Sequence, residues 1–423
     1  MSDQFTNRAV EDNAVMPCQQ NEVVQIEQII IPQIQTIGIT SALEEGFGEK
    51  GMIYGKTYEL KVIDFVAGKK PDDKNSIRWG YSYKPNIDEE AIELEKTGET
   101  IKFKVDNYEL LGKELTFFAY IGNRKYMVLS PKVKVHNRFR WFNEQRVREQ
   151  LEERSNEPKI INQAFTSLCG VAAVAYLLAK DYPLLFVNKF MEFLRTGETR
   201  INKFEVKPNP SLYEMKPGDT EMKYPHSQRD GIMEEADWLV LAGIRSSDNH
   251  SYEGKEGEDF DAINWPSFMK KIVKDMYDAE VVEDKISRQG GMAGLFSGSH
   301  HQELRTIQQE FERGYNFIFM IDSDMLNNIV SSVGCISQYH WIVYQGELEI
   351  DEAKKECGFK YYSWGSLIWG NASESNTPLS FDAFDSNFYG YIKCKKKAVL
   401  IDSPVKIKSP DDVKSIKENE SYA

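Results

Sequence analysis

The sequence predicts an α+β chain in which an all-β sandwich precedes a mixed unit of helices and strands. Three observations carry that reading. Residues 31 to about 136 hold short alternating apolar runs parted by turn residues, Asn162 to Lys180 opens a helical stretch, and strand-like runs return after Tyr315. Helices followed by an antiparallel set of strands describe an α+β domain. At 423 residues the chain exceeds one ordinary core and predicts two or three domains.

Taken in order, residues 1–30 are polar and without period, and read as a flexible leader. The next unit, 31–137, holds candidate strands at Ile34 to Thr40, Thr57 to Phe65, Ser76 to Ser82, Thr100 to Val105, Glu114 to Ile121 and Lys125 to Val135. Breaks fall at Gly46 to Gly51, Gly68 to Asp73 and Gly122-Asn123. Short strands at this spacing suggest an immunoglobulin-like sandwich, here with no cysteine to bridge its sheets. No acid/base cluster or metal spacing falls in it, so it reads as a docking or spacing module. Residues 138–157 are charged with few apolar positions and predict a solvated helical linker.

The segment 158–405 predicts the second domain, and 406–423 a polar tail. Its opening run, NQAFTSLCGVAAVAYLLAK (Asn162 to Lys180), has the composition of a helix buried on nearly all sides, with Thr166 or Ser167 as its cap. Cys169 falls in the first turn, where unpaired N–H groups and the helix dipole favour thiolate. An isolated cysteine in such a run is more often a small buried filler. Helices follow at Tyr182 to Leu194, Ile232 to Ile244, Trp265 to Tyr277 and His301 to Arg313, with a loop at Thr196 to Asp230. Tyr315 to Ile321 (YNFIFMI) is continuously apolar and predicts a buried central strand. Strands at His340 to Leu348, Phe359 to Trp364 and Phe388 to Lys393 complete the set. Gly290 to Ser299 lacks phosphate-loop order and reads as a lid or linker.

Composition excludes several functions. A net charge of −14 argues against a nucleic-acid or anionic-membrane surface. No stretch approaches the roughly 20 apolar residues of a membrane span, and the N-terminus does not resemble a signal peptide. Synthesis in a reducing cytoplasm is expected, because Cys18, Cys169, Cys335, Cys357 and Cys394 are odd in number and lack metal-site spacing. Neither a metal nor a cofactor is expected.

A cysteine nucleophile needs a base brought close by the fold, and His340, opening a strongly β-forming run, is the best placed of six histidines. His300-His301 lack a supporting third metal ligand, and His136, His226 and His250 read as loop residues. Asp322 and Asp324 read as a turn, and Asp237 with Arg245, two helical turns apart, as a buried brace.

Gln163 stands six residues before Cys169-Gly170. After His340 come Tyr-Ser-Trp-Gly (Tyr362 to Gly365), Trp369-Gly370 and Gly390-Tyr391-Ile392. This order resembles the papain-like cysteine peptidases. With Asp237-Trp238, Arg245 and Asn249, residues 158 to 395 also resemble papain-fold bacterial toxins and secretion-system effectors.

The resemblance implies roles. Cys169 would attack an acyl carbonyl, His340 would exchange its proton, Gln163 with the Cys169 N–H would stabilise the oxyanion, and Trp364 would shield the histidine. Where the pattern has a histidine-orienting asparagine, this chain has Tyr362; Ser363 is expected on the opposite face of its strand. Asp382, Asp385 or Asn387 are further candidates for the third group. The implied function is an effector or toxin, made in a bacterial cytoplasm and exported without a signal peptide, that cleaves amide bonds in a protein target inside another cell. A secretion apparatus and an immunity protein are its expected partners. Deamidation or transglutamination by the same dyad, or a non-catalytic binding protein on a degenerate fold, are the alternatives.

Overall fold

In the computed structural model the described residues are 32–84, 91–164, 166–217, 233–255, 258–286, 299–330, 339–374 and 376–397. The expected leader and polar tail, Cys18, His226, Cys335 and nearly all of Gly290 to Ser299 lie outside them. The chain is mixed α+β with several sheets.

Ten strands occupy the first part: β1 (Ile34–Ile39), β2 (Glu44–Glu45), β3 (Lys50–Ile53), β4 (Thr57–Phe65), β5 (Ile77–Ser82), β6 (Ile92–Thr97), β7 (Thr100–Lys104), β8 (Glu114–Ile121), β9 (Val128–Leu129) and β10 (Val133–His136). One sheet runs β1-β4-β7 and the other β2-β3-β10-β8-β5-β6, with β9 on β8. Alternation along β4 and β7 sends Tyr58, Leu60, Val62, Ile101 and Phe103 into a core shared with Trp79, Phe117 and Val135 of the second sheet. Trp79 is fully buried, and its indole N–H donates to the Gly98 carbonyl at 2.8 Å. The run expected as one strand from Lys125 to Val135 is two short strands, because Pro131 follows Ser130 between them. The expected break at Gly46 to Gly51 is the turn of a β2-β3 hairpin.

Helix α1 (Glu144–Asn156) is capped by the Asn143 side chain on the Arg146 N–H. It is no solvated linker: Val147, Gln150, Leu151 and Arg154, spaced to share one face, are buried. Phe139, Phe142, Val147 and Leu151 join the largest core of the chain. Arg140 ties this segment to both sides through ion pairs with Glu44 and Glu214.

Next come α2 (Cys169–Asp181), α3 (Pro183–Thr196), β11 (Thr199–Ile201), β12 (Phe204–Val206), α4 (Glu235–Asp248), α5 (Asp259–Ala262) and α6 (Pro266–Asp275). The remainder is β13 (Ala279–Asp284), α7 (Leu304–Glu312), β14 (Asn316–Asp322), β15 (Tyr339–Tyr344), β16 (Glu349–Asp351), β17 (Glu356–Gly358), β18 (Lys360–Ser363), β19 (Ser366–Trp369), β20 (Leu379–Ser380), α8 (Phe381–Asn387) and β21 (Phe388–Lys396). A six-stranded antiparallel sheet has the order β13-β21-β14-β15-β18-β19. Its inner strand β14 is buried at every residue. The reason is that both faces are covered. Ile318, Met320, Trp341, Val343 and Tyr362 pack in the core that contains α2, whereas Phe319, Ile321, Ile342, Tyr344 and Tyr361 pack in a separate core with Leu304, Ile307 and Phe384.

Candidate active site

Cys169 is the first residue of α2, a helix in which Cys169 through Ala179 are all buried. Neither Thr166 nor Ser167 caps it. The preceding residue is Leu168, which makes no side-chain cap, and the first-turn N–H of Val171 donates instead to Asn264 Oδ1 at 2.9 Å. That partner comes from 93 residues downstream and sits just before α6. Gly170 permits the approach: a Cβ there would lie 2.4 Å from Met269 Sδ and 2.7 Å from Asn264 Cβ.

Cys169 is 6 % exposed with its thiol buried, and burial pushes its pKa up to about 11 against the helix dipole that favours thiolate. Backbone hydrogen bonds from Trp341, Gly170 and Cys169 itself pull the other way. The sequence-based expectation of a resting thiolate is thus reversed, because desolvation outweighs the dipole. The Trp341 contact places Sγ one residue along the chain from His340.

His340, 4 % exposed, is the second residue of β15. Its Nε2 shares a 2.7 Å hydrogen bond with Ser363 Oγ. Its ring stacks on Trp364, with centroids 4.2 Å apart and planes 13° from parallel. Trp364 reaches that position from a left-handed backbone, φ 44°, in the turn that joins β18 to β19. Burial pushes the imidazole down to about 3, so it is neutral at pH 7. Among the described residues no hydrogen bond links the thiol to the ring; the two groups are neighbours through the Trp341 main chain.

Register decides the residue beside His340. Val343 pairs with Tyr362 and Tyr344 with Tyr361, so Tyr362 shares the face of Trp341 and Val343. Ser363 lies on the face opposite Tyr362, as the sequence suggests, but that is the face of His340 and Ile342, so the serine and not the tyrosine meets the histidine. Tyr362 is therefore not the group on His340. Its hydroxyl donates to the Ile161 carbonyl at 2.5 Å, and its ring stacks on Tyr176 at 4.1 Å. The candidates expected in the last loop lie instead on α8: Asp382 is exposed, Asp385 holds His301 at 2.7 Å, and the Asn387 amide donates to the Ile329 and Ala383 carbonyls.

Gln163 is buried in the loop before α2, where its Nε2 donates to the Thr166 carbonyl at 2.9 Å and the Thr166 hydroxyl donates back to the Gln163 carbonyl at 2.7 Å. This loop is anchored from outside. The backbone of Asn162 bonds the buried carboxylate of Asp237, which Arg154 holds by two bonds of 2.7 and 2.8 Å. Asp237 thus braces against Arg154 of α1, not Arg245, whose Nε donates to the Asp261 carbonyl at 2.8 Å. Asp322 accepts from the Asp324 N–H, a turn as the sequence suggests.

Asn264, Ser363 and Arg154 are the residues that sequence reasoning missed. For Arg154 a signal existed, since its helical spacing from Val147 and Leu151 turns its charge inward. No group of three His, Cys, Asp or Glu among the described residues is arranged to hold a metal ion. No helix among them is long and apolar enough to cross a membrane. Comparison with family models, curated proteins and solved structures finds no match to this chain.

Proposed function

We propose that residues 158 to 395 form a papain-like cysteine hydrolase acting on amide bonds, carried behind an immunoglobulin-like sandwich. One observation supports this above the rest: the thiol at the N-terminus of α2 lies against the main-chain N–H of Trp341, next to a histidine pinned by Ser363 and Trp364.

In this reading the ring nitrogen of His340 not held by Ser363 takes the Cys169 proton as Sγ attacks the acyl carbon, and later returns it to the leaving amine. Nε2–H then donates to Ser363 Oγ, which fixes the tautomer. Burial opposes each charge alone. Proton transfer creates both together, and their attraction offsets part of that cost. The Cys169 N–H supplies one oxyanion donor, and Gln163, whose amide has a second N–H, supplies another. The substrate is a protein amide in another cell. That assignment, like deamidation as a variant chemistry, draws on the sequence resemblance.

The burial of both neutral groups favours a second reading, a binding protein on the same fold without turnover. The pH dependence of iodoacetamide labelling at Cys169, read by peptide mass spectrometry in wild type and His340→Ala, separates the two. Labelling below pH ~8 that collapses in His340→Ala is expected of the hydrolase. Equal, slow labelling in both proteins, rising only in alkali, overturns it.

A further inference from the structure

The elements of the site do not touch only through Cys169. Asn264 is 3 % exposed and reaches both halves. Its Oδ1 accepts the Val171 N–H in the first turn of α2, and its main-chain carbonyl accepts the Trp341 indole N–H at 2.9 Å. Its own amide donates to the Ala262 carbonyl at 3.1 Å, which fixes the orientation of the side chain. The Trp341 main-chain N–H in turn faces Cys169 Sγ. One residue thus holds the nucleophile's helix and the histidine's strand in a fixed relation.

We infer that Asn264 is a positioning residue that sets the electrostatics of the Cys169 turn, its side-chain oxygen occupying a helix donor that would otherwise stabilise a thiolate. The inference rests on the reading of Cys169 as the nucleophile. A helix N-terminus favours negative charge through its unpaired N–H groups. An acceptor already seated on Val171 N–H, with its partial negative charge inside the same turn, uses up part of that favour. It keeps the resting thiol protonated while the Trp341 bond keeps the strand in place.

The surroundings make this a local effect. The titratable groups buried in the core around α2 include its own Tyr176, Tyr362 of β18 and Tyr213, with His340 on β15 beside Cys169 and the Asp237–Arg154 pair between α4 and α1. His340 and the tyrosines are held neutral by burial, and Asp237 with Arg154 is a closed ion pair. The buried faces of α3 and α6 (Phe186, Phe190, Phe193, Met269, Ile272) carry no charge.

The test is the pH profile of Cys169 alkylation in the full chain for wild type, Asn264→Asp and Asn264→Ala, with melting temperatures beside it. Asn264→Asp replaces the amide oxygen by a carboxylate that still caps Val171. Its profile is expected to move to higher pH, with labelling at pH 8 about tenfold slower, one pKa unit. Asn264→Ala frees the donor, so its profile is expected to move to lower pH even though the protein melts earlier. Opposite shifts are the signature, because a merely structural role lowers both melting temperatures and leaves the profiles superimposed or displaced together. Superimposed or co-directional profiles overturn the inference. Should Asn264→Asp not fold, an unshifted profile in Asn264→Ala suffices to overturn it. His340→Ala run alongside tests the catalytic reading separately: indifference to His340 removes that reading, while opposite shifts at Asn264 still stand.

Discussion

His340 Nε2 and Ser363 Oγ lie 2.7 Å apart across the neighbouring strands β15 and β18, both buried. The group beside His340 is thus a serine hydroxyl, whereas the phenol of the preceding residue, Tyr362, lies on the other face of the strand. The reach of the serine depends on the strand register and not on the order of residues.

Ser363→Ala leaves that ring nitrogen buried without its partner. A loss of about 1–3 kcal/mol in unfolding free energy is expected. In the hydrolase reading, His340-dependent labelling of Cys169 also slows, by roughly tenfold or more if the tautomer is lost. Denaturant titration and labelling kinetics check the two effects separately. Unchanged labelling would show that Ser363 only fills space.

Acid should destabilise the fold through His340. Its pKa is about 3 in the folded chain against 6.5 ordinarily, so the unfolded state takes up the proton first as pH falls. The stability contributed by the neutral ring is fully present above pH 6.5 and is lost between 6.5 and about 3, up to about 5 kcal/mol at 1.36 kcal/mol per unit. His340→Gln is expected to flatten the fall in unfolding midpoint between pH 7 and 4. An identical slope in both proteins would assign the acid sensitivity elsewhere.

Removing Asp237 strands the buried Arg154 guanidinium and frees the Asn162 backbone. Asp237→Ala is expected to cost about 3–5 kcal/mol, and the pair Arg154→Met with Asp237→Leu to restore most of it. Equilibrium unfolding of the three proteins measures this. A double variant no more stable than the single one would mean that the loop anchor, rather than the buried charge, dominates.

Gly170→Ala drives a methyl against Met269 Sδ and Asn264 Cβ, at 2.4 and 2.7 Å before relaxation. Overpacking of about 1–3 kcal/mol is expected, visible as a lowered melting temperature. A neutral outcome would show that α6 can move away from α2.

Much of the architecture was legible because its signals are local. Thr57–Phe65 and Glu114–Ile121 form strands at the boundaries that alternation marks. The apolar run around Phe317 to Ile321 is the buried inner strand, since only an element covered on both faces can omit polar residues. The apolar, alanine-rich run after Cys169 is α2. The charged segment around Val147 and Leu151 was misread because its apolar positions are few, although their spacing puts them on one face beside Arg154.

The sequence by itself determined the elements: an alternating β region, a buried helix headed by Cys169, and a later strand opening at His340. Tertiary structure alone decided which groups touch them. Strand pairing with a period of two put Ser363, rather than Tyr362, beside His340, and one residue of register would have exchanged them. Close helix packing over Gly170 brought Asn264 onto the first turn of α2 from 93 residues away. Burial then reversed the protonation that the helix end favours, because desolvation depends on everything packed around a thiol and not on its neighbours in the chain.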